Sequence, residues 1–170
     1  QAILVTSLER ARDLQNPPAV IASAAQGSTD DQQAMRSYYR DDITRIPEMK
    51  LCADRLWENT GLGPSDIQVA NIYDHFTPLF LPQLEEFGFC EKGEAKEFLR
   101  DGNIEMGGLL PTNTNGGQLG EAYIHGMNGI AEAVRQIRGT SVNQVENVEN
   151  ALVTAGTSVP TSALILSQDH

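Results

Sequence analysis

The sequence predicts an α/β domain, on three observations. Short apolar runs at residues 2–6, 19–25, 67–72, 149–155 and 161–167 alternate with stretches in which apolar residues recur every three or four positions. The 170 residues are 40% hydrophobic, enough for one globular domain with a real core and too apolar for a disordered chain. Polar groups gather where the run 67–72 ends ahead of a helix start, the place where open α/β sheets hold ligands.

Composition removes several classes of partner. The formal charge is −11 and no basic run occurs, which argues against a nucleic-acid surface or an anionic membrane surface. Cys52 and Cys90 are the only cysteines and lack metal-ligand spacing, so no metal site is expected. With no secretory core at the start and no run of membrane-spanning length, the reducing cytoplasm is the expected compartment.

Taken in order, residues 2–6 read as a strand. Thr6-Ser7-Leu8-Glu9 reads as a capping box for a short helix through Leu14, and Asn16-Pro17-Pro18 stops it before the strand 19–25. Residues 26–45 are polar, with Tyr38-Tyr39 and Asp41-Asp42 as main features, and suggest a surface segment or a loose helix over the site. Such a tyrosine pair is more often core or interface than catalytic. Met49, Cys52, Ala53, Leu56 and Trp57 recur at helical spacing, with Gly61 as C-cap, and Cys52 on that stripe reads as a buried structural thiol. The strand 67–72 ends in Tyr73-Asp74-His75-Phe76-Thr77-Pro78, where Thr77 and Pro78 suit the N-cap and first position of a helix over 79–87. A short helix is expected at 94–99. Ile130, Ala133, Val134 and Ile137 mark one face of a helix closed by Gly139, and the strands 149–155 and 161–167 are separated by a hairpin-length connection.

Residues 110–129 hold five glycines, three asparagines, Tyr123 and His125 in one turn-rich run ahead of a helix. Glycine at that density lets the backbone take positive φ and approach a ligand, and the helix start offers free N–H groups. The run reads as the centre of an active site, against the plainer possibility of an ordinary loop with a helix cap.

These residues resemble the second-half motif of the thiolase superfamily, Asn-x-x-Gly-Gly with a catalytic histidine six residues after the second glycine. Six from Gly117 is Tyr123, so the scaffold is kept while the histidine, and the proline that follows it, are not. The pattern is most similar to the lipid-transfer-protein branch, thiolase-like aldolases that shorten steroid side chains held as CoA thioesters. In the thiolases the Tyr73 place belongs to the asparagine of Asn-Glu-Ala-Phe, which binds the thioester oxygen through a water; His75 falls on a small residue of that motif. A second departure lies at Val153-Thr154-Ala155-Gly156, where thiolases carry a reactive cysteine in a Cys-x-Gly setting.

The resemblance implies a five-stranded mixed sheet with helices on both faces, as in a thiolase-like C-terminal half. Residues 1–18 would be the last strand and connecting helix of a missing N-terminal half, and 19–170 the C-terminal domain. The chain by itself would then be inactive. The implied activity is that of a carbon–carbon lyase, retro-aldol cleavage of a β-hydroxyacyl-CoA, since both thiolytic groups are gone. Such chemistry needs a base for the β-hydroxyl proton, donors for the enolate and an acid for its carbon. Tyr123 and Tyr73 are the candidates for proton transfer, in an order the sequence leaves open, with His75 or His125 to favour a phenolate. His75 is equally read as a hydrogen-bonded structural residue. His125, two residues beyond Tyr123, should point to another side of the helix start. Asn115, Gly116 and Gly117 would shape the thioester pocket, and Asp74 would either bind substrate or cap its turn. No cofactor is implied beyond the CoA of the substrate. Implied partners are the acyl-CoA, a thiolase-type homodimer mate and a small zinc-ribbon and OB-fold protein. A 3-ketoacyl-CoA thiolase of the sterol-carrier type and a non-catalytic acyl-CoA or sterol carrier stay open as alternatives.

Overall fold

The computed structural model describes residues 1–30, 40–157 and 161–169. Tyr38 and Tyr39, with the rest of residues 31–39 in the segment read as a cover over the site, lie outside the described residues. Among the described residues the α-helices and strands follow in order: α1 (Leu8–Arg12), β1 (Ala19–Gly27), α2 (Pro47–Thr60), β2 (Val69–Asn71), α3 (Phe80–Glu86), α4 (Ala95–Arg100), α5 (Gly117–Gly120), α6 (Met127–Arg138), β3 (Asn150–Gly156) and β4 (Thr161–Gln168). The strands form one mixed sheet in the order β1-β4-β3-β2. β4 runs antiparallel to both β1 and β3, and β2 runs parallel to β3.

Among the described residues the sheet therefore has four strands where five were expected. The run 2–6 has the apolar composition of a strand, yet it pairs with no strand among the described residues and leaves Leu4 and Val5 mostly exposed. The outer edge of β2 is instead met by residues 110–113, which make a single parallel bridge, Ala70 to Thr112. Ala70 donates to Pro111 O at 3.1 Å and accepts from Asn113 N at 2.9 Å. Chemistry halts the ladder on both sides. Pro111 has no N–H to offer the next rung back. One rung forward, the Asn113 carboxamide replaces the backbone, its Oδ1 taking the Ile72 N–H at 2.8 Å and its Nδ2 donating to Ile72 O at 2.9 Å.

Alternation along the strands supplies both faces of the sheet. Ala70, Ile72, Leu152, Ala163 and Ile165 face α2 and α3, where they meet Met49, Cys52, Leu56, Leu84 and Phe87. Val69, Ala151, Val153 and Leu166 face α6 through Ala133 and Ile137. Helices thus lie on both faces, as expected. Cys52 is fully buried in the first of these clusters.

Boundaries moved where local chemistry competed with pattern. The cap of α1 is Ser7 rather than Thr6, its hydroxyl accepting the Arg10 N–H at 3.5 Å, and the helix stops at Arg12. Thr77 and Pro78 lie inside a 3-10 turn, Thr77–Leu79, whose N-cap is Phe76. Gly61 and Gly139 are left-handed C-caps as expected, at φ 70° and 69°. The last major helix starts only at Met127, because His125 at φ 54° and Gly126 at φ 89° are both left-handed.

Candidate active site

Tyr73 stands just beyond the end of β2, on backbone held by side chains instead of a strand. Its N–H donates to Thr154 Oγ1 at 2.9 Å. The Thr154 hydroxyl donates to Gln83 Oε1 at 2.7 Å, and Gln83 Nε2 donates back to Tyr73 O at 2.8 Å. Gln83 is fully buried in α3, and its amide also reaches Leu79 O at 2.7 Å. Nothing in the sequence pattern separates Gln83 or Thr154 from ordinary helix and strand residues. Thr154 lies in the stretch where the resemblance would put a cysteine, and here its hydroxyl serves the main chain of Tyr73.

Tyr123 arrives on the glycine-rich loop. Gly116 and Gly117 both take positive φ, 98° and 64°, and open the short turn α5. Gly117 presses against Asp74: a Cβ at this position would lie 2.2 Å from Asp74 Oδ2. Asp74, buried, accepts the Gln118 N–H on Oδ1 at 2.7 Å. Gln118 Nε2 donates to Asn128 Oδ1 at 2.7 Å, its Oε1 takes the Gly126 N–H at 3.3 Å, and Asn128 Nδ2 donates to Gly117 O at 3.2 Å. Asn115 accepts the Gly117 N–H at 3.1 Å and donates to Glu121 at 2.6 Å. Farther back, Glu132 on α6 accepts from Thr114 Oγ1 at 2.6 Å. Gln118, Asn128 and Glu132 went unmarked in the sequence because their value lies in direction, which composition does not carry.

Sheet end and loop bring the two tyrosines together, 50 residues apart in sequence and 2.5 Å apart at their hydroxyl oxygens. Tyr73 is 8% exposed and Tyr123 44%. Burial, the hydrogen bond to Tyr123 and the charge of Asp74 raise the Tyr73 pKa above its ordinary value, so its proton is retained. A Cβ at Gly126 would lie 3.5 Å from the Tyr73 ring edge.

Both histidines flank this pair. The His75 ring lies 4.7 Å from that of Tyr73 and continues to Phe76, also at 4.7 Å. Burial lowers its pKa, against the opposing pull of Asp74, and so favours the neutral ring. Its Nδ1 is buried without a partner among the described residues, as are both amide atoms of Asn71. His125 does not point away from Tyr123; their rings meet edge to face with centroids 4.8 Å apart. Both residues precede the helix, so helical geometry does not separate them. Asn71, Tyr73, Asn113, Asn115 and Gln118 line a small polar chamber between β2 and α6.

Comparison with known proteins accords with this fold. The family described as "Thiolase C-terminal domain-like" matches residues 27–168. A "Steroid side-chain-cleaving aldolase" of Thermomonospora curvata is 68% identical over all 170 residues, which span 44% of that protein. A "17-hydroxy-3-oxo-4-pregnene-20-carboxyl-CoA lyase" of Mycobacterium tuberculosis is 66% identical over 165 residues, 97% of this chain and 43% of the relative. A solved structure titled "Ltp2-ChsH2(DUF35) aldolase" superposes with a TM-score of 0.93 at 68% identity, covering 95% of this chain and 42% of that one. An SCP2-thiolase-like protein of Mycobacterium smegmatis, at 21% identity and TM-score 0.64, shares the fold. The chain spans less than half the length of these two curated relatives. On the match over residues 27–168, the chain belongs to the thiolase C-terminal-domain-like family.

Proposed function

We propose that this chain carries the proton-transfer centre of a retro-aldol lyase acting on a β-hydroxyacyl-CoA. The observation that carries the reading is the direct contact of the Tyr73 and Tyr123 hydroxyls at 2.5 Å. The names of the two relatives support it, one a steroid side-chain-cleaving aldolase and the other a CoA lyase. Those names also support a steroid side chain as the acyl group.

The pair divides the work by environment. Tyr73, buried and holding its proton, is assigned as the acid, and Tyr123, the exposed member of the pair, as the base. Tyr123 takes the proton of the β-hydroxyl. The Cβ–O bond becomes a carbonyl as the Cα–Cβ bond breaks, and its electron pair passes into the thioester as an enolate. Tyr73 protonates Cα and is reprotonated from Tyr123 along the bond between them. One ketone or aldehyde and one shortened acyl-CoA leave, and the pair returns to its starting state with no net proton. Neither a covalent thioester nor any cofactor besides the substrate's CoA enters this cycle. His75, held toward its neutral form, packs on the Tyr73 ring, while exposed His125 stands beside Tyr123.

Asp74, Asn115 and Gly117 serve by shaping the loop, their polar groups being engaged within it, and Gly116 lies exposed at the rim of the thioester pocket. A partner of the kind named in the related complex, a small DUF35-type protein, and a thiolase-type dimer mate complete the reading. The cytoplasm is the compartment that suits a CoA substrate.

The test uses the complete gene product and a β-hydroxyacyl-CoA, following the carbonyl product with and without free CoA. Tyr123→Phe and Tyr73→Phe are each expected to lower kcat by at least ~10²-fold with acyl-CoA affinity nearly unchanged, and the double variant to be scarcely worse than the poorer single one. Strict dependence on CoA, or kcat within a few-fold of wild type in both variants, would overturn the reading.

A further inference from the structure

We infer that Gln83 and Thr154 are positioning residues for Tyr73, acting through its main chain; the inference rests on the tyrosine-pair reading above. Three hydrogen bonds close a ring around the Tyr73 backbone: N–H to Thr154 Oγ1, Thr154 O–H to Gln83 Oε1, and Gln83 Nε2 to Tyr73 O. The ring runs in one sense. A threonine hydroxyl has a single proton, and once that is given to Gln83 only lone pairs face the Tyr73 N–H. Gln83 must then present its oxygen to Thr154, which leaves its amide nitrogen for the carbonyls of Tyr73 and Leu79.

The placement is what distinguishes this ring from ordinary core satisfaction. β2 gives up its ladder at Asn71, two residues short of the tyrosine, although β3 runs on beside it to Gly156. From there side chains hold the main chain residue by residue. Asn113 grips both polar groups of Ile72 and the Gln83 and Thr154 ring grips both of Tyr73, while just beyond them the Asp74 side chain accepts the Gln118 N–H. The Tyr73 hydroxyl lies at the far end of a long side chain, so a small rotation of its peptide is amplified there. A contact of 2.5 Å with Tyr123 leaves little room for that error. Both clamp residues are buried, and neither touches the hydroxyl, so their effect on proton transfer passes through the tyrosine's placement.

The test measures kcat and KM of the complete gene product for Thr154→Val, Thr154→Ser and Gln83→Met, each alone and with Tyr73→Phe. Thr154→Val keeps shape and removes the hydroxyl; it is expected to lower kcat on the order of 10- to 100-fold with KM within a few-fold, since misplacement by about 1 Å costs about that much. Thr154→Ser, which restores the hydroxyl, should recover kcat to within about threefold of wild type. In the Tyr73→Phe background Thr154→Val should change kcat less than about threefold, because no hydroxyl is left to place. Equal losses with and without the tyrosine hydroxyl, or a folded Thr154→Val with wild-type kcat, would overturn the clamp. Should Thr154→Val not fold, Gln83→Met carries the same comparison. The underlying reading fails separately, by a wild-type kcat in Tyr73→Phe itself.

Discussion

Gly117→Ala attacks the junction between the two halves of the site. An alanine there meets two penalties. At φ 64° a side chain sits in left-handed backbone, at about 1–2 kcal/mol. The new Cβ would also lie 2.2 Å from Asp74 Oδ2 and 2.7 Å from its Cγ, so the carboxylate must move. Moving it breaks the 2.7 Å bond from the Gln118 N–H, a charged hydrogen bond in a buried place, at about 1.5–3 kcal/mol. The variant should therefore lose on the order of 3–4 kcal/mol, a large share of a normal folding stability. The assay is urea unfolding of the complete gene product as wild type, Gly117→Ala, Asp74→Ala and the double variant. Asp74→Ala loses the bond but removes the obstacle, so the double variant should be only about 1–2 kcal/mol worse than Asp74→Ala, the backbone cost alone. Strict additivity of the two changes, or a Gly117→Ala midpoint equal to wild type, would refute the close approach of loop and carboxylate.

Gly27→Ala should be worse tolerated than Gly139→Ala: a Cβ at Gly27 would lie 1.9 Å from the Glu48 carbonyl oxygen, which is backbone and cannot step aside, whereas Gly139 has nothing within 4 Å and only φ 69° to oppose it. Thermal unfolding of the two variants should show the first destabilised by at least ~3 kcal/mol and the second by about 1 kcal/mol. His75 is held toward its neutral form in the fold, so the unfolded chain binds its proton first as pH falls below about 6.5, and stability should decline there. Urea unfolding at pH 8 and pH 5 should show a smaller decline in His75→Asn; an equal decline in both proteins would contradict the burial assigned to the ring. Burial pushes the Cys52 and Cys90 thiols up to about 11, so alkylation of the folded protein at pH 8 should be slow, fast in urea, and earlier at half-buried Cys90 than at Cys52.

Much of the fold was legible because periodicity is local. The stripe through Met49, Cys52 and Leu56, the caps Gly61 and Gly139, and the hairpin of β3 and β4 each follow from residues close in sequence. Strand number was not legible, because an apolar run becomes a strand only with a neighbour. Residues 2–6 lack one among the described residues, while the outer edge of β2 is met by Pro111 and the Asn113 side chain, far downstream in sequence. In the site, a resemblance named Tyr73 and Tyr123, but their contact joins two elements 50 residues apart and no local window holds it. Gln83 and Thr154 were hidden for another reason. Each has the look of a polar residue on a regular element, and only the direction of its side chain tells what it holds.

The two tyrosines are held by different physics, and the difference bears on which of them can tolerate change. Tyr73 is 8% exposed, backed by the α2 and α3 core cluster through Ile72 and fixed at both of its own backbone groups. Tyr123 is 44% exposed on a loop whose Leu119 is 62% exposed, so apolar burial does little to place it. Its position comes from directional bonds: Asp74 to the Gln118 N–H, Gln118 to Asn128, Asn128 back to Gly117 O, and Thr114 to Glu132. Apolar packing lets elements slide at small cost, whereas a buried hydrogen bond is lost outright when its geometry fails. The loop can therefore set the second hydroxyl as finely as the sheet sets the first, but only while every bond in the lattice is made. That is why a single methyl at Gly117, which touches neither tyrosine, is expected to disturb the contact between them.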